Sequence, residues 1–296
     1  MRFPCFAAVF CLALGSAYPS IAAASAPIPG SRAAVEKQLV MTTLVSGNLD
    51  IEPDGSVSLL QIDGEEKLGP RIAGFVRASA LRWRFDPIAV DGKAVAVRSS
   101  MSARLIAGRS EQGNVEVRIS GVSFGTYDGS STSEVQGAGL RPPSYPRVAS
   151  QMEAAGTVYV VLRIGRDGRV EDAVAEQVNL RAVGTEKQMQ DARESLASGA
   201  LLAAKHWTFR VPTEGASVDA PFWSVRVPVR YQLSRRTPDE DAPGHWVAYV
   251  PGPRQSASWL AADATAGFSP DALAEGGIYM VGVDKGPRLL TPLQEG

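Results

Sequence analysis

Gly121-Val122-Ser123-Phe124-Gly125 has the Gly-x-Ser-x-Gly spelling of a nucleophile elbow. In such an elbow a serine hydroxyl is raised on a tight strand-to-helix turn, beside a histidine base and an acid. Two histidines, His206 and His245, could supply the base. The residues after the motif, Thr126-Tyr127-Asp128-Gly129-Ser130, read as a loop rather than a helix. His206 directly precedes Trp207 at a predicted helix end, where a histidine meets the last carbonyls. A serine hydrolase at Ser123 is therefore the remote alternative, and the chain is expected not to be an enzyme. Cys5 and Cys11 are the only cysteines, so thiol catalysis and disulfides are not expected beyond the N-terminus. Two scattered histidines make no zinc set, and no phosphate loop or dinucleotide fingerprint occurs, so no cofactor is expected. Asp54 and Asp167 each precede a glycine and read as turn residues rather than carboxylate catalysts.

What remains is backbone chemistry. From Trp223 to Leu233 the apolar residues Trp223, Val225, Val227, Val229, Tyr231 and Leu233 alternate with Ser, Arg, Pro, Arg and Gln. That period of two predicts a strand with one dry and one wet face. Pro228, in its middle, has no N–H for a ladder and belongs on an edge strand or bulge. An open edge can recruit the backbone of another chain.

The elements that position this strand form a pattern that occurs twice. Gly156–Ile164 predicts a strand, Asp167-Gly168 a hairpin turn, and Val170 and Val174 a return strand. Thr185 and Gln188 have capping-box spacing, and Met189, Ala192, Leu196, Ala200 and Ala203 form a helical stripe that leads to Trp207 and Phe209. Earlier, Gly47–Ile51, the turn Pro53-Asp54-Gly55, Ser56–Ile62, a helix opened by Pro70, then Trp83, Phe85 and the strand Val95–Leu105 repeat the order. The Trp-x-Phe pairs are read as core anchors. Val115, Val117 and Ile119 suggest one more strand.

The expected organisation is an export segment or anchor over 1–24, an arm over 27–46 and a first unit over 47–124. A Gly/Ser/Thr-rich linker over 125–139, a second unit over 140–234 and a tail over 235–296 follow. Arg2, the apolar run Phe6–Leu14 and the small residues Ala22-Ala23-Ala24 carry the export reading, with cleavage after Ala24. Trp246–Val250 and Ile278–Val283 are strand-like pieces of the tail with no assigned role. An apolar fraction of 45% supports globular cores. A net charge of −1, with no basic run longer than Arg235-Arg236, argues against a nucleic-acid partner.

Pro-Pro-x-Tyr-Pro at 142–146, the Gly-Thr-Val strand, Asp-Gly-Arg-Val, Trp-x-Phe and Val-Pro-Val-Arg-Tyr together resemble the TonB C-terminal domain family over Arg141–Leu233. Residues 47–105 resemble it more faintly. The resemblance implies an α+β fold of two diverged units, each a small antiparallel sheet (hairpin plus closing strand) packed on one helix. It implies a periplasmic protein-binding module linked to transmembrane transport, whose closing strand pairs with a segment of an outer-membrane receptor. Carried over, the contact positions are Ser224, Arg226, Arg230 and Gln232 on the wet face, with backbone from Val225, Val227, Val229 and Tyr231. The family's transducers also carry a membrane helix with a histidine and a long Pro-rich spacer. The N-terminal segment here has no histidine, and about 20 residues precede the first unit, a reach of roughly 60 Å as polyproline II. A module rather than a full energy transducer is expected. The rival reading is a structural or envelope-maintenance protein whose edge is covered by its own chain or by a homodimer.

Overall fold

The computed structural model describes residues 28–109, 114–125, 129–233, 242–260, 270–273, 276–281 and 287–293. The predicted export segment lies outside the described residues. In chain order the elements are α1 (Arg32–Glu36), β1 (Val40–Ile51), β2 (Val57–Ile62), α2 (Glu65–Leu68), α3 (Pro70–Ala80), β3 (Ala89–Val90), β4 (Lys93–Ala94), β5 (Val97–Arg109) and β6 (Val115–Phe124). Then come β7 (Gln136–Gly139), α4 (Arg147–Gln151), β8 (Gly156–Ile164), β9 (Val170–Leu180), α5 (Glu186–Ala204), β10 (Thr208–Arg210), β11 (Trp223–Tyr231), β12 (Val247–Tyr249) and β13 (Tyr279–Met280).

The fold is mixed α+β, with antiparallel sheets and few helices. One sheet runs β12–β1–β5–β6, with β2 also paired to β1; another runs β13–β11–β8–β9. The arm is structured: α1 is capped by the Ser31 side chain, and the run Val40–Val45 joins β1 instead of preceding it. Residues 136–139, expected within a flexible linker, pair as β7 with β10, and Val135 is buried in the second core.

The turn glycines and the aromatic anchors explain each other. In the first unit Asp54 Oδ1 accepts the Ser56 N–H at 2.9 Å, an Asx turn that aims the Gly55 carbonyl at the Phe85 N–H, 2.8 Å away. In the second, Asp167 Oδ1 accepts the Arg169 N–H at 3.0 Å, and Gly168 O accepts the Phe209 N–H at 2.8 Å. Bridges Ser56–Arg84 and Arg169–Thr208 flank these bonds. In both units, then, a hairpin turn docks on the backbone of the Trp-x-Phe segment. Trp83, Phe85, Trp207 and Phe209 are all buried.

Helix α5 starts at the predicted capping box, with the Thr185 side chain accepting from Gln188 N and the Gln188 side chain accepting the Thr185 N–H. Its buried stripe is Met189, Ala192, Leu196, Ala200 and Ala204, with Ala203 beside it. The second core is completed from outside the unit by Val35, Val250 and Ile278. Excised residues 141–233 would therefore lack part of their own core. The tail ties the units together: β12 pairs with β1, and the next residue, Val250, exchanges hydrogen bonds with Leu180 of β9. Leu290 N then donates to Arg84 O, returning the chain to the first unit's Trp-x-Phe segment.

Candidate strand-pairing edge

β11 lies against β8 over its whole length, from Trp223 opposite Ile164 to Tyr231 opposite Gly156. In an antiparallel ladder the N–H and C=O of one residue face the same neighbour, and successive residues face opposite neighbours. The Val281 N–H donates to Ser224 O at 2.8 Å. Ser224, Arg226, Pro228 and Arg230 therefore aim their backbones away from β8. The missing donor of Pro228 falls on the outer rim and costs the β8 ladder nothing, as the sequence suggested.

That rim is not open throughout, which corrects the expectation of a standing edge. β13 pairs with it, Val225 opposite Met280 and Arg226 opposite Tyr279. The physical reason is burial: Ile278 is 2% exposed in the second core and Met280 packs against it, so the tail brings its backbone alongside β11.

The dry face is as expected, with Val225, Val227, Val229 and Tyr231 buried. Their backbones, however, face β8 and are spent on that ladder, which corrects their expected role as partner-pairing backbone. The wet face is a further correction. Arg226 is 4% exposed, and its Nε and Nη2 donate to Glu176 Oε2 and Oε1 at 2.7 and 3.0 Å. Arg254, from the tail, donates Nη2 to the same Oε1 at 3.0 Å, and Gln255 N–H reaches Glu176 O at 2.7 Å. The tail thus lies over this face, and an Arg–Glu–Arg cluster replaces the solvent contact that the polar residues implied. Toward the end of β11, Pro228 and Arg230 line a cavity of about 40 Å³ in the seam with the first sheet, opposite Thr42 and Arg104. In that seam Tyr249 donates to Asp271 Oδ2 at 2.6 Å. Burial first, and then the Asp271 charge, push its phenol well above the ordinary range. Ser224, Arg230 and Gln232 are half-buried.

The Arg141–Pro146 stretch packs at the far end of the strand. The Trp207 indole donates to Arg141 O at 2.8 Å, Tyr145 donates to Ala154 O at 3.0 Å, and the Tyr145 and Tyr231 rings meet edge-on, 5.5 Å apart. Tyr231 is 2% exposed, and among the described residues its hydroxyl has no hydrogen-bond partner. Burial pushes this phenol above its usual range as well. An unsatisfied buried hydroxyl costs about 1–3 kcal/mol. Tyr231→Phe is therefore expected to stabilise the chain by about 1 kcal/mol, read as a raised urea midpoint; a lowered midpoint would contradict the assignment.

In the first unit the corresponding closing strand, β5, is sealed on its outer side by β6 from Met101 to Arg109. Ser123 sits inside that ladder opposite Ser102, not on a strand-to-helix turn, so the elbow geometry is missing. His206 is exposed just past α5. Among the described residues no group of His, Cys, Asp or Glu could hold a metal ion, and no helix is long and apolar enough to cross a membrane.

The sequence reading missed the Glu176 cluster and the destinations of the two tail strands. Their positions were visible: Trp246–Val250 contains β12 and Ile278–Val283 contains β13. Searches of family models, curated proteins and solved structures each return no match.

Proposed function

We propose that this chain is an exported, non-enzymatic protein–protein module of the cell envelope. It is built from two diverged TonB-like units and acts in the periplasm, inner-membrane anchored if the export segment is retained. Its second unit pairs through β11 with an extended segment of an outer-membrane transport receptor. The observation that supports this reading is the contrast between the two closing strands. In the first unit a ten-residue strand seals the outer side; in the second, a two-residue strand covers it, next to a proline that faces outward. Main-chain bonds along such a rim supply affinity, and alternate side chains supply selectivity.

A second reading, an architectural envelope protein, is favoured by one observation. The tail bonds to both units and covers the rim in part. A photo-crosslinking residue at Gln232, beside the rim, separates the two. The control is Val115, exposed on the sealing strand of the first unit. Strand pairing predicts adducts with an outer-membrane receptor from position 232 and none from 115. Adducts only between copies of this chain, or none at all, would support the architectural reading.

A further inference from the structure

Ile278–Val281 does at β11 what β6 does at β5, over a far shorter span. Its pairing proceeds from Val281 against Ser224 to Tyr279 against Arg226, and the next outward-facing position on β11 is Pro228. Proline offers no N–H there, so the two-bond exchange made at Arg226 is reduced to at most the proline's carbonyl acceptor, and the pairing stops. The chain leaves at Gly277 and Gly276, the latter at φ 75°, a turn that a side chain would strain. β5, by contrast, contains no proline and is laddered from Met101 to its end.

Side chains give the stretch its register. Ile278 is fully buried in the second core and Met280 packs against that core, while Tyr279 lies between them on the opposite side of the strand. Two apolar seats with one residue between them define the pattern of an occupant. We propose that Ile278–Val281 is an exchangeable cap. It holds the rim of β11 until an extended segment of the same apolar–x–apolar pattern, antiparallel to β11, replaces it. This rests on the strand-pairing reading above and adds what occupies the rim at rest and what chemistry displaces it.

The test uses the full chain and a labelled synthetic peptide of residues 276–281, Gly-Gly-Ile-Tyr-Met-Val. In the native chain the tethered cap competes at high effective concentration, so the peptide binds weakly. Val281→Pro removes the donor that meets Ser224 O, and is expected to tighten peptide binding at least tenfold. A peptide with serine in both apolar seats should not bind. Val225 and Met280 face each other as a non-hydrogen-bonded pair, where side chains approach closest. Val225→Cys with Met280→Cys, with Cys5 and Cys11 replaced by serine, can therefore lock the cap. Peptide binding should vanish on oxidation and return on reduction, a comparison within one molecule that survives any folding defect of Val281→Pro. Equal affinity for the native and Val281→Pro chains, or for the oxidised and reduced forms, would overturn the cap. If the peptide fails while Gln232 still forms receptor adducts, the cap falls and strand pairing stands. Peptide exchange without receptor adducts leaves the cap standing and removes the receptor.

Discussion

Glu176→Ala is expected to destabilise the protein by about 3–5 kcal/mol, the cost of breaking a buried ion pair by deleting one member. The Glu176 carboxylate is 1% exposed and accepts from two guanidinium groups. Arg226, at 4% exposure, would lose its bidentate acceptor in a place water does not reach. Arg254 is a third exposed and can turn toward solvent, so Arg254→Ala should cost well under half as much. Replacing Glu176 and Arg226 together by leucine and methionine should recover most of the loss, because the desolvation of both charges is removed with their attraction. Urea unfolding followed by far-UV circular dichroism measures all three. A Glu176→Ala cost below about 1 kcal/mol would mean that the cluster is not sealed from water. The cluster also bears on the rim: Glu176 on β9 holds Arg226, whose backbone pairs with Tyr279, so Glu176→Ala should speed hydrogen exchange at the Arg226 amide.

Why this cluster was invisible in the sequence is a matter of range. Ser224, Arg226, Pro228 and Arg230 alternate with valines, and locally such a pattern describes a half-wetted strand. Glu176 lies 50 residues away on another strand and Arg254 lies in the tail, and no periodicity links them. Burial of a polar face is decided by what packs on it, here residues 250–255. Likewise Ile278–Val283 could be read as strand-like, but register and partner come from tertiary packing. One miss had a signal. Val40, Thr42, Thr43 and Val45 are β-branched strand formers set close together, and Thr42, Thr43, Leu44 and Val45 are consecutively buried, so both faces of β1 are covered there while Met41 stays exposed.

What could be read in advance was local. Thr185 and Gln188 cap α5 where their spacing required, and the alternation of Val225, Val227, Val229 and Tyr231 described the dry face of β11. Proline at 228 faces the side where its missing donor is harmless. The mixed α+β composition, hairpin then helix then closing strand, followed from the same short-range patterns. The rim's occupancy did not, because the segment that covers it is more than 50 residues downstream.

The second large effect is expected at the glycine of each hairpin turn. Gly168 adopts φ 75° with its Cα hydrogen turned toward the Phe209 backbone; a Cβ there would run into the Phe209 carbonyl oxygen. Gly55, at φ 80°, has the same relation to the Phe85 carbonyl. Gly92, also at φ 75°, has open space where its Cβ would stand. Gly92→Ala therefore isolates the left-handed backbone cost, about 1–2 kcal/mol. Gly168→Ala adds a collision with backbone that cannot rotate away, and should cost about 2–5 kcal/mol in total. The surplus over Gly92→Ala reports the contact between turn and Trp-x-Phe segment. Gly55→Ala should show a surplus of similar size, since its turn makes the same 2.8 Å bond to the first unit's phenylalanine. Urea midpoints for the three variants decide it. If all three shift equally, the docking of turn on aromatic segment contributes nothing, and the likeness between the two units is one of chain order alone.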